Sequence, residues 1–203
     1  MTVYVESNFV LEQALQQEAC DSCAEMIDLA SKGRIALAVP AFSMAEPYVA
    51  ISGKEKARAR LSNDLRTQLS ELARSKPHRE VPVAFEALAA VLIASAQFER
   101  EGLRDTISKL LRSANVIALD AAILGSAVEI QERYGMSGQD AIVLASVLSH
   151  LDLHNPPDSC FLNRNSKDFD NPDVRETLDA RGCKFFSEFE NGLRYVLARI
   201  GVN

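Results

Sequence analysis

Tryptophan is absent from the 203-residue chain, and histidine (3), cysteine (4), proline (7) and glycine (9) are sparse. Each shortage removes a class of chemistry. His78, His150 and His154 fall in linkers or at a helix end and read as solvent-facing side chains, so no histidine-based metal site is indicated. Cys20-x-x-Cys23 has half of a zinc spacing, yet no second Cys/His pair stands near it, and the pair reads as structural thiols on a helix. Four cysteines make no disulfide framework in a chain that is not secreted. The run from Met1 to Glu6 has neither a basic n-region nor an apolar h-region, so a signal peptide is not expected. No apolar run reaches about 18 residues, so no membrane span is expected either. The expected compartment is the cytoplasm. No Gly-rich phosphate cradle is present, which argues against a nucleotide cofactor. The net charge of −6 disfavours a nonspecific polyanion binder acting through bulk charge, and leaves open a local basic patch.

What remains is an ordinary globular composition, 47% hydrophobic and 25% charged, too apolar for a disordered chain. A chain of this length buries about 70% of its unfolded surface and needs no staple. Short apolar runs at 2–5, 35–39, 116–119, 160–163 and 184–186 read as strands. Helical periodicity covers 9–15, 20–30, 43–51, 54–75, 84–113, 121–134, 139–151, 173–180 and 188–200. Gly33 stops the second helix and Gly182 the eighth. Strands alternating with helices predict an α/β fold, with a short five-stranded parallel sheet between two helical layers. The expected organisation is one domain over 1–203, its core made by 1–52 and 115–203 and a helical insertion by 53–114.

Charge is uneven. Residues 54–79 hold eight Lys/Arg and three Asp/Glu, a local +5 against −6 for the whole chain. A charge run is commonly a solvated helix face. The functional alternative is a grip on a phosphate backbone, with Arg58, Arg60 and Arg66 foremost and the stretch lying beside the active crevice.

Four acids fall where strands end or helices begin: Glu6 after the first strand, Glu46 and Asp140 in first helical turns, and Asp168 after the fourth strand. Ligands of open parallel sheets bind at the carboxyl ends of strands. Carboxylates gathered there repel one another unless a cation lies between them, and hard oxygen donors suit Mg²⁺ or Mn²⁺. Each acid also has a structural reading. Ser43-x-x-Glu46 and Ser137-x-x-Asp140 have capping-box form, Asp168 suits a helix N-terminus, and Glu6 suits a solvent-facing strand end.

These residues carry a resemblance. Val3-Tyr4-Val5-Glu6-Ser7-Asn8 resembles the opening of PIN-domain nucleases, a strand ending in acid–Ser/Thr–Asn. Val39-Pro40-Ala41-Phe42-Ser43-Met44-Ala45-Glu46 resembles the family's second motif. Asp140-Ala141-Ile142-Val143-Leu144-Ala145 resembles its Asp-Ala-x-x-x-Ala helix. Phe161-Leu162-Asn163-Arg164-Asn165-Ser166-Lys167-Asp168-Phe169 resembles its fourth. The four occur in the family's order and reach both ends of the chain. The resemblance implies a PIN-like three-layer fold and a ribonuclease that hydrolyses RNA in line, leaving 5′-phosphate and 3′-hydroxyl ends. Glu6, Glu46, Asp140 and Asp168 would hold Mg²⁺ or Mn²⁺, with Ser7, Asn8 and Asn165 supporting them. It further implies an antitoxin partner and a homodimer. Two positions depart from the pattern: Glu6 stands where Asp is usual, and Asn165 where some members have an acid. A second reading is therefore a non-catalytic PIN-like module that binds RNA or a protein. A phosphoacceptor receiver-like domain ranks last, since Glu6 has no second acid beside it.

Overall fold

The computed structural model describes residues 1–78 and 81–201, and the side chains of these outside 81–86. Arg79, part of the basic stretch, lies outside the described residues. Strands β1 (Thr2–Val5), β2 (Ala36–Pro40), β3 (Ala114–Ile117), β4 (Ser159–Leu162) and β5 (Cys183–Phe186) form a parallel five-stranded sheet in the order β3-β2-β1-β4-β5. Val3 stands opposite Leu37 on one side and Cys160 on the other. The helices are α1 (Ser7–Leu15), α2 (Cys20–Ser31), α3 (Ala41–Leu72), α4 (Val81–Ser113), α5 (Ala121–Tyr134), α6 (Gly138–His154), α7 (Ser166–Phe169), α8 (Pro172–Asp179) and α9 (Phe189–Arg199).

Successive strand residues point to opposite faces, so each strand feeds two cores. Val3, Val5, Leu37, Val39, Cys160 and Leu162 pack with Phe9, Met26, Leu103, Leu110 and Phe189 of α1, α2, α4 and α9. Tyr4, Ala38, Phe161 and Phe185 pack on the other face with Ile123, Leu144, Phe169 and Leu178 of α5 to α8. Both faces are covered, which is why the strands read as unbroken apolar runs. This is the expected three-layer α/β/α arrangement. Phe161, Phe169, Phe185 and Phe189 are buried in it, and Phe186 is half-buried.

Two helical layers approach closely at Gly102. A Cβ there would stand 2.2 Å from the Ala14 carbonyl oxygen, so α4 can lie on α1 only where a side chain is missing.

The structure differs from the expected elements in four ways. First, the helices expected over 43–51 and 54–75 are one continuous α3 through Ser52 and Gly53. A helical glycine costs only about 1 kcal/mol against alanine. Contacts with α4 offset it: Arg58 Nη2 donates to Glu99 Oε1 at 2.7 Å, and Arg100 Nη1 to Glu55 Oε1 at 2.6 Å. Secondly, β3 begins and ends two residues before the expected 116–119. Thirdly, α7 appears where only a loop was expected. Fourthly, His150 is not a solvent-facing residue. Because α6 crosses β2 and β3, its ring reaches the sheet, with Nδ1 2.8 Å from the Tyr4 hydroxyl and Nε2 3.1 Å from Asn115 Nδ2. His154, exposed, stacks on it at 3.9 Å. Burial and His154 together push the His150 pKa down.

Candidate functional site

The strand order reverses direction at β1. The chain passes outward from β1 to β2 and β3, then returns to the other side of β1 for β4 and β5. In parallel sheets the crevice at the carboxyl ends of the two strands flanking such a switch point is where ligands bind. Here those strands are β1 and β4, and the residues that follow them are Glu6 and Asn163-Arg164-Asn165.

Glu6 is the N-cap of α1. The Asn8 backbone N–H donates to its Oε2 at 2.9 Å, satisfying one of the helix's free amides. The solvent-facing reading of this residue fails, because it is only 5% exposed. Its other oxygen, Oε1, is buried and has no hydrogen-bond partner. Burial pushes the carboxyl pKa up to about 8. The bonds from Asn8 act against this, and the charges of Glu46 and Asp140 add to it.

Glu46 lies in the second turn of α3, half-buried, and its Oε2 accepts a short hydrogen bond from the Ser7 hydroxyl. The capping box expected from Ser43 and Glu46 does not form. The helix starts three residues earlier, with Pro40 as its N-cap, so Ser43 lies inside the first turn with its hydroxyl buried and unpartnered. Ser137 does cap α6. Its Oγ accepts from the Asp140 N–H at 3.1 Å and donates to Asp140 Oδ2 at 2.6 Å. The other Asp140 oxygen faces Asn165, whose Nδ2 donates to Asp140 Oδ1 at 3.2 Å and to Asp168 Oδ2 at 2.9 Å. One amide therefore ties the acid before β4 to the acid after it.

Of the four acids singled out in the sequence, Glu46 is thus bonded to Ser7 beside Glu6, and Asp140 and Asp168 are bridged by Asn165. Among the described residues, no three histidine, cysteine or carboxylate groups stand close enough to hold a metal ion as they are. The cysteines are free thiols, Cys20 half-buried and Cys23, Cys160 and Cys183 buried.

Sequence reasoning missed the support behind the site. Glu12, 2% exposed, accepts from the Ala19 N–H at 3.0 Å and pairs with Arg164 of the β4–α7 loop. Asn163, also buried, turns that loop by accepting the Asn165 N–H at 2.8 Å. An acid among Val10, Leu11 and Ala14 on a short apolar helix was the available signal that Glu12 needs a cationic partner.

The basic stretch is placed differently from expectation. Because α3 is continuous, it carries its basic residues away from the crevice, with Arg60 about 21 Å and Arg66 about 30 Å beyond Glu46 along the helix. Arg58 is bonded to Glu99 and to Ser95 Oγ at 3.1 Å, so its charge is engaged inside the α3–α4 hairpin. Arg60 and Arg66 are exposed.

No family model and no curated protein matches the sequence. Among solved structures the chain is similar to one described as VapBC2 from Rickettsia felis bound to a DNA fragment from their promoter. The match has 13% identity and a TM-score of 0.49, and covers 92% of this chain and 99% of that one. Among the described residues, no helix is long and apolar enough to cross a membrane.

Proposed function

We propose that this protein is a metal-dependent ribonuclease that hydrolyses RNA phosphodiester bonds at the carboxyl ends of β1 and β4. The observation that carries the reading is Glu6. A carboxylate buried at a switch point, with one oxygen unpartnered and two further acids in reach, is costly unless a cation or a proton neutralises it. The donor set of Glu6, Glu46, Asp140 and Asp168 is all carboxylate, which suits Mg²⁺ or Mn²⁺, and such ions reach spread ligands through waters that they retain. When bound, the ion supplies the positive charge that phosphodiester hydrolysis needs.

The chain's own residues do the rest. The Asn8 N–H holds one Glu6 oxygen and leaves the other buried without a partner. Ser7 fixes Glu46, and Asn165 holds Asp140 and Asp168 at one separation. Arg60 and Arg66 give a strand leaving the crevice a cationic track along α3, a role from which Arg58 is withdrawn by Glu99. The motif resemblance extends the proposal to a toxin restrained by an antitoxin, and to a homodimer.

The test is cleavage of labelled RNA with Mn²⁺ by the purified protein and by Glu46→Gln and Asp140→Asn. We expect metal-dependent cleavage that falls at least about 100-fold in either variant, as loss of charge stabilisation at a reacting phosphate does. Cleavage without metal, or untouched by both substitutions, sinks the assignment. A second reading, a non-catalytic module binding RNA or a protein, is favoured by the same burial of Glu6: a carboxyl that keeps its proton near neutrality is a poor ligand. RNA binding without cleavage at any Mn²⁺ concentration would select it.

A further inference from the structure

A cavity of about 510 Å³ is lined by Phe42, Leu124, Val128, Gln131, Gln139 and Ile142 among others. Two of its lining residues are chain neighbours of the acids, on α3 and α6. Phe42 lies four residues before Glu46 on α3, so the two share one face a single turn apart. Gln139 immediately precedes Asp140 in the first turn of α6. The lining carries no charged side chain, unlike the cavity between α5, α6 and α8, which Glu129, Arg133, Asp173, Glu176 and Arg181 line. Phe42 packs its inner side on the second core and remains half-exposed, while Leu124 (45%) and Val128 (58%) leave an apolar rim in solvent.

We infer that this cavity receives one unpaired nucleobase of the RNA, that of the nucleotide next to the phosphate held at the carboxylates. The inference rests on the RNA reading above. A nucleobase is uncharged, has two apolar faces and presents donors and acceptors along its edge. The Phe42 ring and the aliphatic rim match the faces. The side-chain amides of Gln131 and Gln139, each both donor and acceptor, match the edge. A phosphate would find no cation in this lining, and a charged peptide no counter-ion. The position beside Glu46 and Asp140 makes Phe42 a specificity-determining residue, selecting single-stranded over paired RNA because only an unstacked base can enter.

The test is the affinity of a fluorescein-labelled, unstructured oligoribonucleotide, and of a set with one abasic position each, in the presence of Mn²⁺. The protein carries Glu46→Gln so that the RNA stays intact. We expect one position at which removing the base weakens binding about 10- to 100-fold, the usual worth of a stacked base. Phe42→Leu, which keeps the apolar contact with the core but not the flat ring, should bind the intact RNA as weakly as the parent binds that abasic probe. It should show no further loss on the probe itself. Gln139→Ala, an exposed change that leaves folding intact, should shift which base is preferred. The inference is overturned if Phe42→Leu and Gln139→Ala bind every probe as the parent does. It is also overturned if Val128→Asp splits a sedimenting dimer while Phe42→Leu leaves RNA affinity unchanged, since the face then belongs to a second copy. If the parent binds no RNA, this inference and the proposed function fall together. If it binds RNA with the abasic pattern but the native chain does not cleave, the nuclease reading fails and the base site stands.

Discussion

Asn165 bonds to both Asp140 and Asp168, and its position after β4 is fixed by the Asn163 side chain. Its amide donates both bonds from one nitrogen, which holds two like charges at a distance they would otherwise increase. Removing it should leave both acids in place but unaligned. Asn165→Ala is therefore expected to lower the apparent Mn²⁺ affinity of RNA cleavage about 10- to 100-fold, the usual cost of losing a group that orients metal ligands. Urea unfolding of the metal-free protein should move by less than about 0.5 kcal/mol, because the residue is half-exposed. A metal titration unchanged by the substitution would make Asn165 a loop residue and nothing more. The residue type was readable in the sequence as a support for the acids. Its pair of hydrogen bonds was not, because it depends on how the end of β4 lies beside the start of α6.

The α3–α4 hairpin makes the corresponding argument for whole elements. Glu99 is 8% exposed and one of its oxygens has no partner, so Arg58 is what offsets its burial. Replacing Arg58 by Ala strands that charge. A fully buried pair loses about 3–5 kcal/mol on such a change. With the Arg58 side chain 29% exposed, we expect about 2 kcal/mol in urea unfolding, with the combined Arg58→Ala, Glu99→Leu protein recovering most of it. Recovery in the double variant separates a packing role from RNA contact, which no change at Glu99 could restore. The sequence displayed Arg58 as one of eight cations in a basic run, and a helical wheel cannot show that an acid 41 residues later turns toward it. The same limit hid the continuity of α3, where Ser52-Gly53 reads as a break and packing against α4 overrides it. The sheet was legible because its strands are short, apolar and doubly covered. Of the site, the acids and their order along the chain were legible, while Glu12 and Phe42 were not, since what identifies them is the neighbour that each meets.

On the scale of the whole molecule, the acids at the sheet edge couple stability to pH and to divalent cations. Glu6 titrates at about 8 in the folded chain, against an ordinary value of 4.5. Between those values the folded state holds a proton that the unfolded state has lost, so stability must fall as pH rises, by up to about 1.4 kcal/mol per pH unit, and level off above about pH 8. Glu6→Gln keeps the acceptor for the Asn8 N–H and removes the charge. In EDTA it should melt at nearly the same temperature as the parent at about pH 5 and clearly above it at about pH 9. A bound cation favours the ionised carboxylate and so lowers its folded pKa. Mn²⁺ should therefore raise the parent's melting temperature most at alkaline pH and flatten its pH dependence, with a smaller gain for Glu6→Gln. Equal pH slopes for the two proteins in EDTA would show that Glu6 is not the group that sets them. Equal Mn²⁺ gains would show that the ion does not engage Glu6, and the buried carboxylate on which the nuclease reading rests would then have no part in metal binding.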